Sequence, residues 1–125
     1  MKYLFLLITL CCFGIGQSQE SNIYSKFKTG KFSYEGNSGK VEIIRTEKKN
    51  IEIFNNGKSK LINEIKWIND STYILTHKKS INASGCLDKG DWVKSTIIKV
   101  DGNSYTIKAI SNKCGEGQTV IHKTE

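Results

Sequence analysis

Lys66-Trp67-Ile68-Asn69-Asp70-Ser71-Thr72-Tyr73-Ile74-Leu75 holds two apolar arms joined by a tight polar turn. Period-two alternation sends successive side chains to opposite faces, which is the pattern of strands. Ile65 and Trp67 share one face of the first arm, and Tyr73, Leu75 and His77 share one face of the second. Asn69-Asp70-Ser71 turns the chain, because such residues satisfy turn geometry with their own side chains. The stretch predicts a hairpin with further hairpins before and after it.

Outward from this hairpin the same pattern repeats. Strands are expected over residues 31–35, 41–46, 50–54, 58–68, 73–77, 92–100, 104–110 and 119–123. Phe32 and Tyr34 share a face of the first. Val41, Ile43 and Arg45 share one face of the second, but Ile44 makes its opposite face apolar too, so the inward side is open. Ile51 and Ile53 lie together on the third, and Tyr105, Ile107 and Ala109 on the seventh. Asn55-Asn56-Gly57 and Asp101-Gly102-Asn103 are hairpin signals, since Asn and Gly accept positive φ. A helical stripe of Leu61, Ile65 and Ile68 is the one rival reading. The longest irregular stretch is 78–90, and loops of this length often carry binding residues. Strands at this spacing with short connections predict an all-β fold. Its expected form is an antiparallel up-and-down meander of about eight strands, a lipocalin-like small barrel or barrel-like sheet.

The chain has 125 residues and a net charge of +7. Met1-Lys2 followed by the apolar run from Tyr3 to Gly16 and the polar Gln17-Ser18-Gln19-Glu20 reads as a secretory signal peptide, residues 1–18. Gly16 and Ser18 are the small residues that place the cut after Ser18. The run falls short of the roughly 18–20 residues that span a bilayer. Leu10 before Cys11 and Cys11 before Cys12 fit a lipid-attachment motif poorly. Residues 19–125 then form a single β domain, exported to the periplasm or the exterior, in which Cys86 and Cys114 remain. An even cysteine count in an exported chain suggests a disulfide. Free thiols and a zinc site with His77 and His122 are the rivals, the latter without C-x-x-C or H-x-x-x-H spacing.

Arg45 is the only arginine, and the lysines are scattered. Base and phosphate recognition favours arginine, so nucleic acid is not an expected partner. Scattered lysine suits solubility and edge protection, or attraction to an anionic envelope surface. No catalytic frame is visible: His77 and His122 have no acid or serine at a motif spacing, and Gly115-Glu116-Gly117 lacks the lysine and following helix of a phosphate loop. Asp88 and Asp91 alone do not make a calcium loop. The expectation is a monomeric, non-enzymatic domain with no cofactor and no metal. It would bind a small apolar ligand or an envelope partner, with Tyr34, Trp67, Tyr73 and Tyr105 as candidate ligand-binding residues. The alternative is a structural or protein-interaction domain in which the same aromatics fill a solid core.

Phe27-Lys28-Thr29-Gly30-Lys31-Phe32-Ser33-Tyr34, Ile44-Arg45-Thr46, Ile65 to Leu75 and Gly102-Asn103-Ser104-Tyr105 together resemble a family of short secreted bacterial proteins of uncharacterised role. The resemblance spans most of residues 19–125 and implies export from a bacterial cell, a small β-rich domain and no activity. Some members carry a DNA topoisomerase IV label, which the short chain and its export signal argue against. Members of that family often have cysteines where this chain has Tyr24 and Ser71. The resemblance thus implies that Cys86–Cys114 is an alternative staple here.

Overall fold

The computed structural model describes residues 22–125. The expected signal segment 1–18, with Cys11 and Cys12, lies outside the described residues. Eight antiparallel strands follow one another in meander order and close into a barrel: β1 (Gly30–Gly36), β2 (Gly39–Arg45), β3 (Lys49–Phe54), β4 (Ser59–Asn69), β5 (Thr72–Ile81), β6 (Trp92–Asp101), β7 (Ser104–Ser111) and β8 (Glu116–Lys123). The hairpin at 66–75 is the β4–β5 pair, with Ile65 opposite Leu75 and Trp67 opposite Tyr73. The helical stripe does not form. Leu61 and Ile65 point inward along β4, while Ile68 stays on the outside, 45% exposed.

The largest departures from the expected strand ranges are in β5 and β8. After an irregularity opposite Ile62 and Asn63, β5 continues through Lys79, Ser80 and Ile81 against β4. The irregular stretch thereby shrinks to residues 82–91. β8 starts at Glu116 rather than 119, with Gly117 opposite Ala109. Both extensions are polar or glycine-rich, so alternation gives no sign of them; backbone pairing alone makes them strands. The lead-in before β1 winds into a 3-10 turn, Ser25–Phe27, which buries Phe27 completely.

Closure depends on the chain ends. β1 and β8 pair at Phe32–Lys123 and Ser33–His122. Beyond these, the Lys31 amide donates to the Glu125 carbonyl at 2.9 Å and the Thr124 amide donates to the Lys31 carbonyl at 2.7 Å. Gly30 sits at this seam with φ +126°, and a Cβ there would collide with the Glu125 carbonyl oxygen. Only glycine combines that backbone with that approach.

The core fills one end of the barrel. Phe27, Phe32, Ile43, Ile65, Tyr73, Ile97, Tyr105, Ile107 and Ile121 form its buried cluster. The ambiguity of β2 resolves toward Val41, Ile43 and Arg45 as the inward set. The hairpin register then pairs Arg45 with Asn50 and Ile43 with Glu52, which turns Asn50 and Glu52 inward on β3. Ile51 and Ile53 therefore share the outer face, where Ile44, Ile51 and Ile62 line up across three strands.

Candidate functional site

At the closed end the barrel is sealed by a polar knot wrapped in aromatic rings. Arg45 is 2% exposed. Its Nε donates to Asn50 Oδ1 at 2.8 Å, and one terminal nitrogen donates to the Phe27 carbonyl and to the Tyr105 hydroxyl, both at 2.9 Å. The other reaches the Tyr73 hydroxyl at 3.5 Å. The guanidinium also stacks on Phe32 and Tyr73, 4.5 and 4.8 Å from their ring centroids. A buried cation is tolerated only when its donors are matched, and here Asn50 at the start of β3, the 3-10 turn and two tyrosines match them. Phe27 packs on Tyr105 with centroids 4.6 Å apart and so acts as the plug. Burial holds the Tyr105 hydroxyl well above the usual phenol range.

The other end is open. Its rim is made by the 36–39 and 55–58 turns and by the 82–91 and 112–115 loops. A mouth cavity of about 550 Å³ lies among Tyr34, Asn37, Glu52, Phe54, Ser59, Leu61 and Asn82. Below it, an inner chamber of about 150 Å³ is walled by Ile43, Leu75, Val93, Ile107, Ala109 and Ile121, with Arg45, Asn50, Asn63 and Ser95 among its polar lining. Tyr34 and Glu52 line both spaces. The Tyr34 hydroxyl donates to Glu52 Oε1. Burial pushes the Glu52 carboxyl above its ordinary value, while the Tyr34 hydrogen bond and Arg45 pull the other way. Burial, with Glu52 beside it, also pushes the Tyr34 hydroxyl up.

Cys86 and Cys114 are joined as a disulfide with Cα atoms 5.7 Å apart. The bridge ties the β5–β6 loop to the β7–β8 loop at the rim. Lys113 pairs with Asp88 in the same place and lies 3.6 Å from Asp91. Held this way, the loop sends Leu87 into the inner chamber. The zinc alternative does not assemble. His77 is buried in the wall, where its Nδ1 lies 2.7 Å from Asn63 Oδ1 and must donate to it, and His122 sits on β8 with Nδ1 2.6 Å from the Ser104 hydroxyl. Among the described residues no three His, Cys, Asp or Glu side chains gather to hold a metal ion.

The four aromatics singled out from sequence separate into two groups. Tyr73 and Tyr105 belong to the floor, their hydroxyls 3.3 Å apart and bonded to Arg45. Trp67 stacks behind Tyr73 with centroids 4.6 Å apart and lines neither cavity; its Nε1 is buried with no hydrogen-bond partner. The end of the barrel that holds Trp67 and Tyr105 is thus packed core, because the 3-10 turn drives Phe27 into it. Tyr34 alone of the four stands where the two cavities meet. Sequence reading missed Glu52, Asn50 and Leu87. Glu52 was masked by Ile51 and Ile53, whose alternation suggests the opposite face. For Arg45 there was a signal: a lone arginine in register with Val41 and Ile43.

These features define a closed eight-stranded meander barrel with a plugged floor and an open, partly polar mouth. No protein-family model matches the chain, and neither the curated proteins nor the solved structures contain a match to it.

Proposed function

We propose that this is an exported, lipocalin-like carrier or sensor barrel that holds a small amphipathic molecule in its cup. The carrying observation is the pair of cavities that meet at Tyr34 and Glu52 above a sealed floor. A concave, mainly apolar chamber with a few placed polar groups is the usual form of a small-molecule site. An apolar cavity of about 150 Å³ accommodates a single benzene-sized ring. The polar mouth argues for a ligand less apolar than the sequence reading anticipates. The Cys86–Cys114 bridge supports export, since disulfides persist in oxidising compartments. The resemblance to short secreted bacterial proteins supports the same compartment. No enzyme activity, cofactor or nucleic-acid partner is part of this reading, and the barrel acts as a monomer.

The test is nuclear magnetic resonance titration with 2-phenylethanol. Backbone shifts at Tyr34, Ile43, Leu75 and Ile107, saturating with added ligand, are the expected result. Shifts confined to the outer strand faces, or none, would sink the cup. A second reading, an interaction domain, has its own observation: the outer row of Ile44, Ile51 and Ile62, with Ile44 38% exposed. It predicts that Ile51→Lys abolishes contact with an envelope partner while leaving the cup unchanged.

A further inference from the structure

Resting on the cup reading, we propose that the ligand carries a protonated amine, received by the Glu52 carboxylate that Tyr34 orients, with its apolar group in the inner chamber. Glu52 and Arg45 are the charged residues that line the two spaces. Arg45 is already committed: Asn50, the Phe27 carbonyl and the two tyrosine hydroxyls take its donors, and two rings cover its faces. It has little left to offer an anionic guest. Glu52 is the reverse case. Among the described residues the Tyr34 hydroxyl is the one hydrogen-bond donor to its carboxylate, through Oε1. Oε2 is left as an acceptor at the junction of the two cavities.

A carboxylate held out of bulk water gains from a cationic partner with hydrogens to donate. The rest of the mouth is polar and uncharged, lined by Asn37, Ser38, Asn55, Ser59, Asn82 and Ser84, so among the described residues no second cation stands in it against an ammonium head. The chamber below then takes a ring or short alkyl group against Ile43, Leu75, Val93, Ile107 and Ile121. The net charge of +7 does not oppose this. The described lysines are exposed or partly exposed and none lines either cavity, and solvent-exposed charges are screened beyond about 10 Å at ordinary ionic strength.

The experiment compares three ligands of one shape, phenethylamine, 2-phenylethanol and phenylacetate, by calorimetry on the wild type, Glu52→Gln and Tyr34→Phe. Expected is phenethylamine binding about tenfold or more tighter than 2-phenylethanol, the strength of one charge-assisted contact. Glu52→Gln should abolish that preference, because the amide carries no charge to pair with the ammonium. Tyr34→Phe, which keeps the carboxylate, should retain the preference. Equal binding of amine and alcohol, tighter binding of phenylacetate, or a preference that survives Glu52→Gln would overturn the amine assignment and leave the cup standing. If none of the three binds, the cup itself fails and the assignment falls with it.

Discussion

Arg45 carries the floor at the scale of single residues. Arg45→Met would leave the Tyr73 and Tyr105 hydroxyls and the Phe27 carbonyl without their donor. The expected loss is about 3 kcal/mol or more, read as a lower urea midpoint, because buried polar groups stripped of partners keep their desolvation cost. Gly30→Ala is expected to cost at least about 1 kcal/mol by the same measurement, since both its positive φ and its contact with the Glu125 carbonyl exclude a side chain. Glu52 and the tyrosines set the pH response. Glu52 has a folded value above its ordinary 4.5, so its folded form holds a proton that the unfolded chain releases first. Its contribution is full below pH 4.5 and is lost as pH rises through the folded value. Tyr34 and Tyr105 are raised above 10.0, so stability falls again above pH 10, where only the unfolded tyrosines ionise. Urea midpoints across pH should therefore decline in two stages, and Glu52→Gln should flatten the acidic one.

Among the elements, the β5–β6 loop depends most on a single tie. Cys86 and Cys114 are 28 residues apart in sequence. Closing a loop of that length removes unfolded-state entropy worth roughly 3–4 kcal/mol. The double variant Cys86→Ser, Cys114→Ser should lose an amount of that order in denaturant, with faster hydrogen exchange through residues 82–91. The Asp88–Lys113 ion pair is solvent-exposed and adds little by itself. Loss of the bridge also frees Leu87 from the inner chamber, so the same variant should bind 2-phenylethanol with altered affinity.

For the whole molecule, the β1–β8 seam is the weak line of the barrel. Its ladder runs through Phe32–Lys123 and Ser33–His122 and ends in the hydrogen bonds of Lys31 to Thr124 and Glu125. The β6–β7 ladder runs nearly the length of both strands. Hydrogen exchange should accordingly be faster in β1 and β8 than in β6 and β7, and deleting residues 123–125 should widen that gap. Uniform protection around the barrel would show that closure does not rest on the chain ends.

The sequence by itself determined the eight strands apart from the extensions of β5 and β8, the hairpin at 66–75, the meander order and the candidate cysteine pair, because those are written in local alternation, turn chemistry and cysteine count. Residue period told which side chains share a face: Tyr73 with Leu75 and His77, Tyr105 with Ile107. It could not tell which face is inward where both are apolar, as on β2, or where the polar face goes in, as on β3. Only the tertiary structure decided that Phe27 plugs one end, that Arg45 is buried among Tyr73 and Tyr105, and that Glu52 meets Tyr34 at the open end. The physical reason is that these contacts join residues far apart in sequence. Their energy depends on burial and on matched hydrogen bonds across the barrel, which exist only once the β1–β8 seam has closed.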